Sequence, residues 1–245
     1  MAHVFDTMGT VVSLISTADD ATLASVEDVF RAADERFSLY RPDSELSRIA
    51  AGELTLMNSS SELRATYAEA LDWRHKTDGI FTPNRPDGVV DLNGIVKAQA
   101  IHDAGEVLER AGCRDFCLNV GGDILVAGVQ PDGVPWTVGL VDPRNPAALV
   151  CSIVIDGGRR AVATSGSAER GDHIWLGGST EQAEFLQASV VADDIITADV
   201  LATAIIAGGR ATLDDITSRW DVDVLTVDRA GELLATPGLR QALAA

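Results

Sequence analysis

The residues best suited to chemistry lie in one apolar run, Ile196-Thr197-Ala198-Asp199-Val200-Leu201-Ala202-Thr203-Ala204. On a helix, Asp199 and Thr203 stand one turn apart and project a carboxylate and a hydroxyl from the same face. Such an oxygen-only pair suits a hard cation such as Mg²⁺, which takes few protein carboxylates and keeps room for substrate phosphates. The same spacing also has a plainer reading, with Thr197 as the helix N-cap and Asp199 as a first-turn acid complementing the dipole.

Three further segments carry reactive types. Asp91-Leu92-Asn93-Gly94-Ile95-Val96-Lys97 brings an acid, a small close-approach residue and a lysine into a helix start, where phosphate is favoured. It is neither a Walker loop nor the dinucleotide glycine fingerprint, and a turn followed by a solvated lysine explains it too. Asn119-Val120-Gly121-Gly122-Asp123 follows a strand directly; its glycines admit a ligand closely or form a hairpin or bulge. His173 follows the small-residue loop Ala163 to Ala168, and a lone loop histidine serves either as a proton acceptor or as an exposed side chain. Tyr40, beside Phe37, Ser38 and Arg41, can stack a planar ligand or cover a core edge. Trp73 and Trp136 read as packing residues.

The elements that must position these groups follow from period and punctuation. Val11–Ile15 reads as a first strand, and Val26, Val29, Phe30 and Ala33 mark a helix from Leu23 to Phe37. Ser44 can cap a short helix over Leu46–Ala50, and a longer helix spans Ser60 to Lys76 before Gly79. Phe81 to Gly88, with two prolines, must be loop; Ile95–Ala111 is a helix closed by Gly112. Strands are expected at Phe116–Val120, Ile124–Val129, Trp136–Val141, Leu149–Ile155, Ala161–Thr164 and Ala188–Ala192. Helices at Thr197–Ala207 and Ala211–Trp220 and a strand at Val222–Val227 complete the chain. No repeat or linker interrupts it, so residues 1–245 are expected to form a single α+β domain, with helices packed on mostly antiparallel sheets.

Composition narrows the function. With 19 Lys+Arg against 37 Asp+Glu the net charge is −18, which repels polyanions and argues against nucleic acid and anionic membrane surfaces as partners. Three cysteines fit neither an even disulfide framework nor a four-cysteine zinc set, and they suggest a reducing compartment. The amino terminus carries no basic n-region, long apolar segment or lipobox cysteine, and the uncharged run Val200 to Gly209 is half of what a bilayer crossing requires. The expectation is a cytoplasmic protein without membrane insertion.

The order of these segments resembles the FAD:protein FMN transferase (ApbE) family from residue 8 to about residue 209. The matching stretches are Met8-Gly9-Thr10, Phe37 to Ser47, Thr77 to Phe81, Asp91 to Lys97, Asn119 to Asp123, Ala163 to Gly166, His173-Ile174 and Thr197 to Thr203. The chain departs from the family pattern at Ala98, where a glycine is usual, and at Thr82, where an aspartate is common. Its linker between Phe81 and Asp91 is short, and Trp175 to Thr180 replaces an Asp-Pro…Thr-Gly segment.

The resemblance implies a Mg²⁺-dependent enzyme that moves FMN from FAD to a Thr or Ser hydroxyl in a short motif of an acceptor flavoprotein, releasing AMP. Met8 and Tyr40 would line the FAD site, with Tyr40 against the isoalloxazine. Asp91, Lys97 and His173 would contact the cofactor, and His173 would also be the catalytic residue. Asp199, Thr203 and the Gly94 carbonyl would hold Mg²⁺. Since FAD is itself an anion, an acidic chain must neutralise it locally with a metal or a few placed cations. Hydrolysis of FAD to FMN and AMP, or FAD binding without catalysis, are the alternatives.

Overall fold

A computed structural model describes residues 2–155, 158–166 and 183–243. The chain opens with β1 (His3–Thr7) and β2 (Thr10–Ser16), followed by α1 (Asp20–Phe37), α2 (Glu45–Ala50), α3 (Ser61–Lys76) and α4 (Asn93–Arg110). Strands β3 (Phe116–Val120), β4 (Asp123–Ala127), β5 (Trp136–Asp142), β6 (Asn145–Ile155), β7 (Ala161–Gly166) and β8 (Phe185–Ala192) come next. The last elements are α5 (Ile195–Arg219), β9 (Asp223–Asp228), β10 (Leu233–Ala235) and α6 (Pro237–Gln241).

Eight strands form one sheet in the order β1-β2-β3-β4-β7-β8-β9-β10, and β5 and β6 form a separate ribbon. Each pair among these strands is antiparallel. The result is an α+β fold with helices on an antiparallel sheet, as the alternating patterns led one to expect. Three layers result from the two-residue period of the strands. Leu125, Ala163, Val190 and Val224 face the helices, with Phe30, Ile101 and Leu201 in the same core. Their neighbours Val126, Val162, Val191 and Leu225 face the other way and pack with Trp136, Val138, Leu140 and Ile153 of the ribbon. Each face therefore removes its apolar side chains from water, at roughly 25 cal/mol per Å².

Local chemistry sets the boundaries. The Asp19 carboxylate accepts the Thr22 N–H at 2.9 Å and starts α1, while the Ser44 and Ser60 hydroxyls cap α2 and α3. Two hairpins close through two-residue turns with both residues left-handed: Met8-Gly9 (φ 48° and 70°) and Gly121-Gly122 (φ 58° and 94°). This is the type I′ arrangement, whose twist matches that of the flanking strands. Trp73 and Trp136 are buried packing residues, and the Trp136 indole N–H donates to the Ala127 carbonyl at 2.8 Å.

At the carboxyl end, α5 runs for 25 residues but breaks at Gly209 (φ 66°, ψ −151°). A Cβ there would sit 2.6 Å from Glu184 Oε2, the same oxygen that accepts the Arg210 N–H at 2.8 Å and caps the second segment. The two helices expected on either side of residue 209 are thus the two arms of one broken helix. By length and apolarity α5 passes the measure for crossing a bilayer, yet Ala198 through Ile206 are buried against the sheet, as in a core helix. Among the described residues, the unanticipated strands and α-helices are β1, β10 and α6, all short and near the ends of the chain.

Candidate active site

One end of the large sheet gathers residues from four distant parts of the chain. The register aligns Val12 with Val120, and the Gly121 N–H donates to the Val11 carbonyl at 3.1 Å. The two I′ turns are therefore neighbours. A side chain on Gly121 would collide with Thr10, so this close approach excludes one. Met8 is half-buried against the core while its backbone holds a left-handed φ of 48°. A non-glycine residue in that region costs about 1–2 kcal/mol, so tertiary contacts must hold the tip in place.

Asp123, the first residue of β4, follows directly and is completely buried. Pairing with Val120 turns its side chain toward the helices, the same face as Leu125. Its Oδ2 forms an ion pair with the Lys97 ammonium from α4, and its Oδ1 accepts the Thr164 N–H of β7 at 3.1 Å. Lys97 is only 13% exposed, so the solvated-lysine alternative is wrong: α4 lies on the sheet and delivers the side chain inward.

The next residue of β7, Ser165, places its hydroxyl 3.1 Å from the Thr203 hydroxyl of α5. Asp199 lies one turn earlier on α5 and is 0% exposed. The N-cap of α5 is Asp194, whose carboxylate accepts the Thr197 N–H at 2.8 Å. That overturns the capping alternative. Thr197 is inside the helix, and Asp199 lies beyond the first turn, where a dipole-complementing acid belongs. Burying a carboxylate in so apolar a helix is costly unless something cationic or hydrogen-bonding meets it.

The start of α4 contributes Asp91 and Gly94. Asp91 is buried, and its Oδ1 accepts the Asn93 N–H at 2.9 Å, which fixes the entry to the helix. Gly94 lies in the first turn, where a Cβ would stand 2.9 Å from the Phe81 ring; its smallness serves this packing as well as any ligand. Helices α4 and α5 pack on each other.

Tyr40 lies in the loop after α1 and is 79% exposed, so it covers no core edge. The loop is braced beneath it: the Ser38 carbonyl accepts from the hydroxyls of Ser44 at 2.5 Å and Ser47 at 3.0 Å. Arg41 reaches Asp34 at 3.6 Å and Asp43 at 3.3 Å. His173 falls outside the described residues.

The contacts thus form two pairs, Lys97 with Asp123 and Ser165 with Thr203, joined through the consecutive β7 residues Thr164 and Ser165, with Asp199 one turn from Thr203 on α5. Asp123 and Ser165 were not singled out from sequence as site residues. The signal for Asp123 was present: an acid at an inward-facing strand position, immediately after the paired glycines. As a donor set, the Asp199 carboxylate, the Thr203 hydroxyl and the Gly94 carbonyl are all hard oxygens and fit Mg²⁺ chemically. Among the described residues no group of three or more His, Cys, Asp or Glu could hold an ion.

Comparison with known proteins gives the class of the fold. In fold the chain matches the flavin transferase ApbE of Vibrio cholerae, with a TM-score of 0.81 and 20% identity over 99% of each chain. It likewise matches the apo flavinyl transferase ApbE of Pseudomonas stutzeri, with a TM-score of 0.79 and 19% identity over 100% of this chain and 97% of that one. In sequence it is 25% identical to the FAD:protein FMN transferase of Vibrio cholerae, covering 61% of this chain and 59% of the relative. For that of Rhodobacter capsulatus the identity is 29%, over 66% of this chain and 32% of the relative. The chain spans about half the length of the curated relatives it matches. The ApbE family profile matches residues 8–85 and 82–226, and the chain belongs to the ApbE family.

Proposed function

We propose that this protein is an FAD:protein FMN transferase that uses Mg²⁺ and an acceptor flavoprotein with a Thr or Ser flavinylation motif. The observation that carries the reading is that Lys97 of α4 pairs with Asp123 of β4, which accepts the Thr164 N–H of β7, while the next residue, Ser165, meets Thr203 of α5, one turn from the buried Asp199. A mostly buried cation and a carboxylate–hydroxyl pair, both tied to β7, are what a pyrophosphate substrate requires of an acidic chain.

In this reading the exposed Tyr40 ring stacks on the isoalloxazine and the Met8 turn forms the adjoining wall. Asp91 and Lys97 contact the cofactor. Asp199, Thr203 and the Gly94 carbonyl hold Mg²⁺, which would supply charge neutralisation and orientation of the pyrophosphate. The acceptor hydroxyl oxygen forms a bond to the FMN-side phosphorus, the bond from that phosphorus to the AMP oxygen breaks, and AMP leaves with the electron pair. The hydroxyl proton passes to a base, a role assigned to His173.

Transfer and hydrolysis separate in one assay, AMP release from FAD with and without a Thr-containing acceptor. Transfer predicts AMP only when acceptor is present. Equal AMP in both reactions would replace transfer with hydrolysis, and FAD binding without AMP in either would indicate a binding protein.

A further inference from the structure

We infer that Asp123 is a positioning residue, one that fixes the Lys97 ammonium where it meets the FAD pyrophosphate; the inference rests on the reading of Lys97 as a cofactor contact. Both carboxylate oxygens of Asp123 are engaged, one by Lys97 and one by the Thr164 backbone N–H at 3.1 Å. The backbone of β7 thus fixes the carboxylate, and the carboxylate fixes the lysine. Asp123 is 0% exposed and Lys97 13%, so neither charge is left to water.

A buried ion pair is an inefficient way to hold a core together. Removing two charges from water costs several kcal/mol per ion, and apolar residues of equal volume usually stabilise as well or better. The same helix and hairpin carry alternatives of that kind: Val96, Ala98, Ile101, Val120 and Leu125 are all buried. The pair accomplishes something those side chains cannot. A lysine stem carries roughly 2 kcal/mol of rotamer entropy, which a free lysine would lose on meeting a phosphate. Held by Asp123, Lys97 has lost it already. Its ammonium has three N–H donors, so the ion pair leaves donors for a ligand, and its residual exposure gives an anion access. Asp123 also offsets the charge of Lys97 toward bound FAD, so its benefit falls on the oriented transition state more than on ground-state binding.

The test is a double-mutant cycle of Asp123→Asn, Lys97→Met and the pair, read as kcat and KM for FAD in AMP release with Mg²⁺ and acceptor. Asparagine is isosteric, and its Oδ1 still accepts from Thr164. Lys97→Met is expected to lower kcat about tenfold or more, as for loss of a charged hydrogen bond. Asp123→Asn is expected to lower kcat about tenfold with KM within about threefold, and to add less than about twofold on top of Lys97→Met. Wild-type kcat in Asp123→Asn, or a loss that adds in full to that of Lys97→Met, would overturn the positioning role while leaving Lys97 at the cofactor. Wild-type kcat and KM in Lys97→Met would remove Lys97 from the cofactor and the positioning role with it. Should Asp123→Asn fail to fold, Lys97→Arg decides. It keeps charge and partner but shifts the donors, so kcat is expected to drop about tenfold, and wild-type kcat would overturn the inference.

Discussion

The Thr203 hydroxyl of α5 lies 3.1 Å from the Ser165 hydroxyl of β7, and this contact ties the helix bearing Asp199 to the sheet end bearing Asp123. Thr203→Val keeps the shape of the side chain and removes its oxygen. We predict a stability loss of only about 1–3 kcal/mol, the cost of leaving the buried Ser165 hydroxyl unmatched. Transfer activity should fall by about tenfold or more, with a higher Mg²⁺ concentration needed for half-maximal rate. Thermal melts and a Mg²⁺ titration of AMP release check the two halves separately.

Tyr40 is 79% exposed, so its removal has little to unpack. Tyr40→Ala should change stability by no more than about 0.5 kcal/mol. Loss of aromatic stacking should weaken FAD binding by about 0.5–1.5 kcal/mol, or roughly two- to twelvefold. Titration of FAD fluorescence measures the affinity. An unchanged affinity would exclude Tyr40 from the cofactor site.

Gly94→Ala is predicted to act through Phe81, whose ring would lie 2.9 Å from the added Cβ. Overpacking at such a position costs about 1–3 kcal/mol and shifts the first turn of α4. Stability and the Mg²⁺ requirement should therefore change together, because in the proposed site one backbone segment serves both. A melt unchanged from wild type would show that Phe81 yields freely.

Burial pushes the Cys117 thiol up to about 11 from an ordinary value of 9.0, and raises Cys151 as well. A raised folded-state value means that the unfolded thiol ionises first. The linked stability is complete below about pH 9 and is lost as pH rises toward about 11. Native protein should react slowly with thiol reagents at pH 8 and quickly in urea, since the thiolate is the nucleophile. The decline in melting temperature between pH 9 and 11 should be smaller in Cys117→Ala.

Much of this architecture is legible along the chain because its elements are strongly periodic. Helices α1 to α5 and strands β2 to β9 followed from spacing and punctuation, whereas β1, β10 and α6 are three to five residues long and carry too few residues to show a period. Asp199 with Thr203 and the Asp91 to Lys97 segment were visible as candidates, but spacing could not distinguish them from a cap and a solvated lysine. What decides is a competing cap three residues upstream, Asp194, and, for the lysine, a non-local partner, Asp123, 26 positions away on a strand. Strand register sets such pairings, and register depends on the partners of a strand as much as on its own residues.

The most direct measurement is the intact mass of a Thr-containing acceptor after incubation with this protein, FAD and Mg²⁺, run in parallel with Asp199→Asn and with a chelator. Flavin transfer through a Mg²⁺ site on Asp199 predicts an FMN-sized increase and one AMP per adduct for the wild type, and neither product when the carboxylate or the metal is removed. An adduct formed at wild-type yield by Asp199→Asn in the presence of chelator would contradict it.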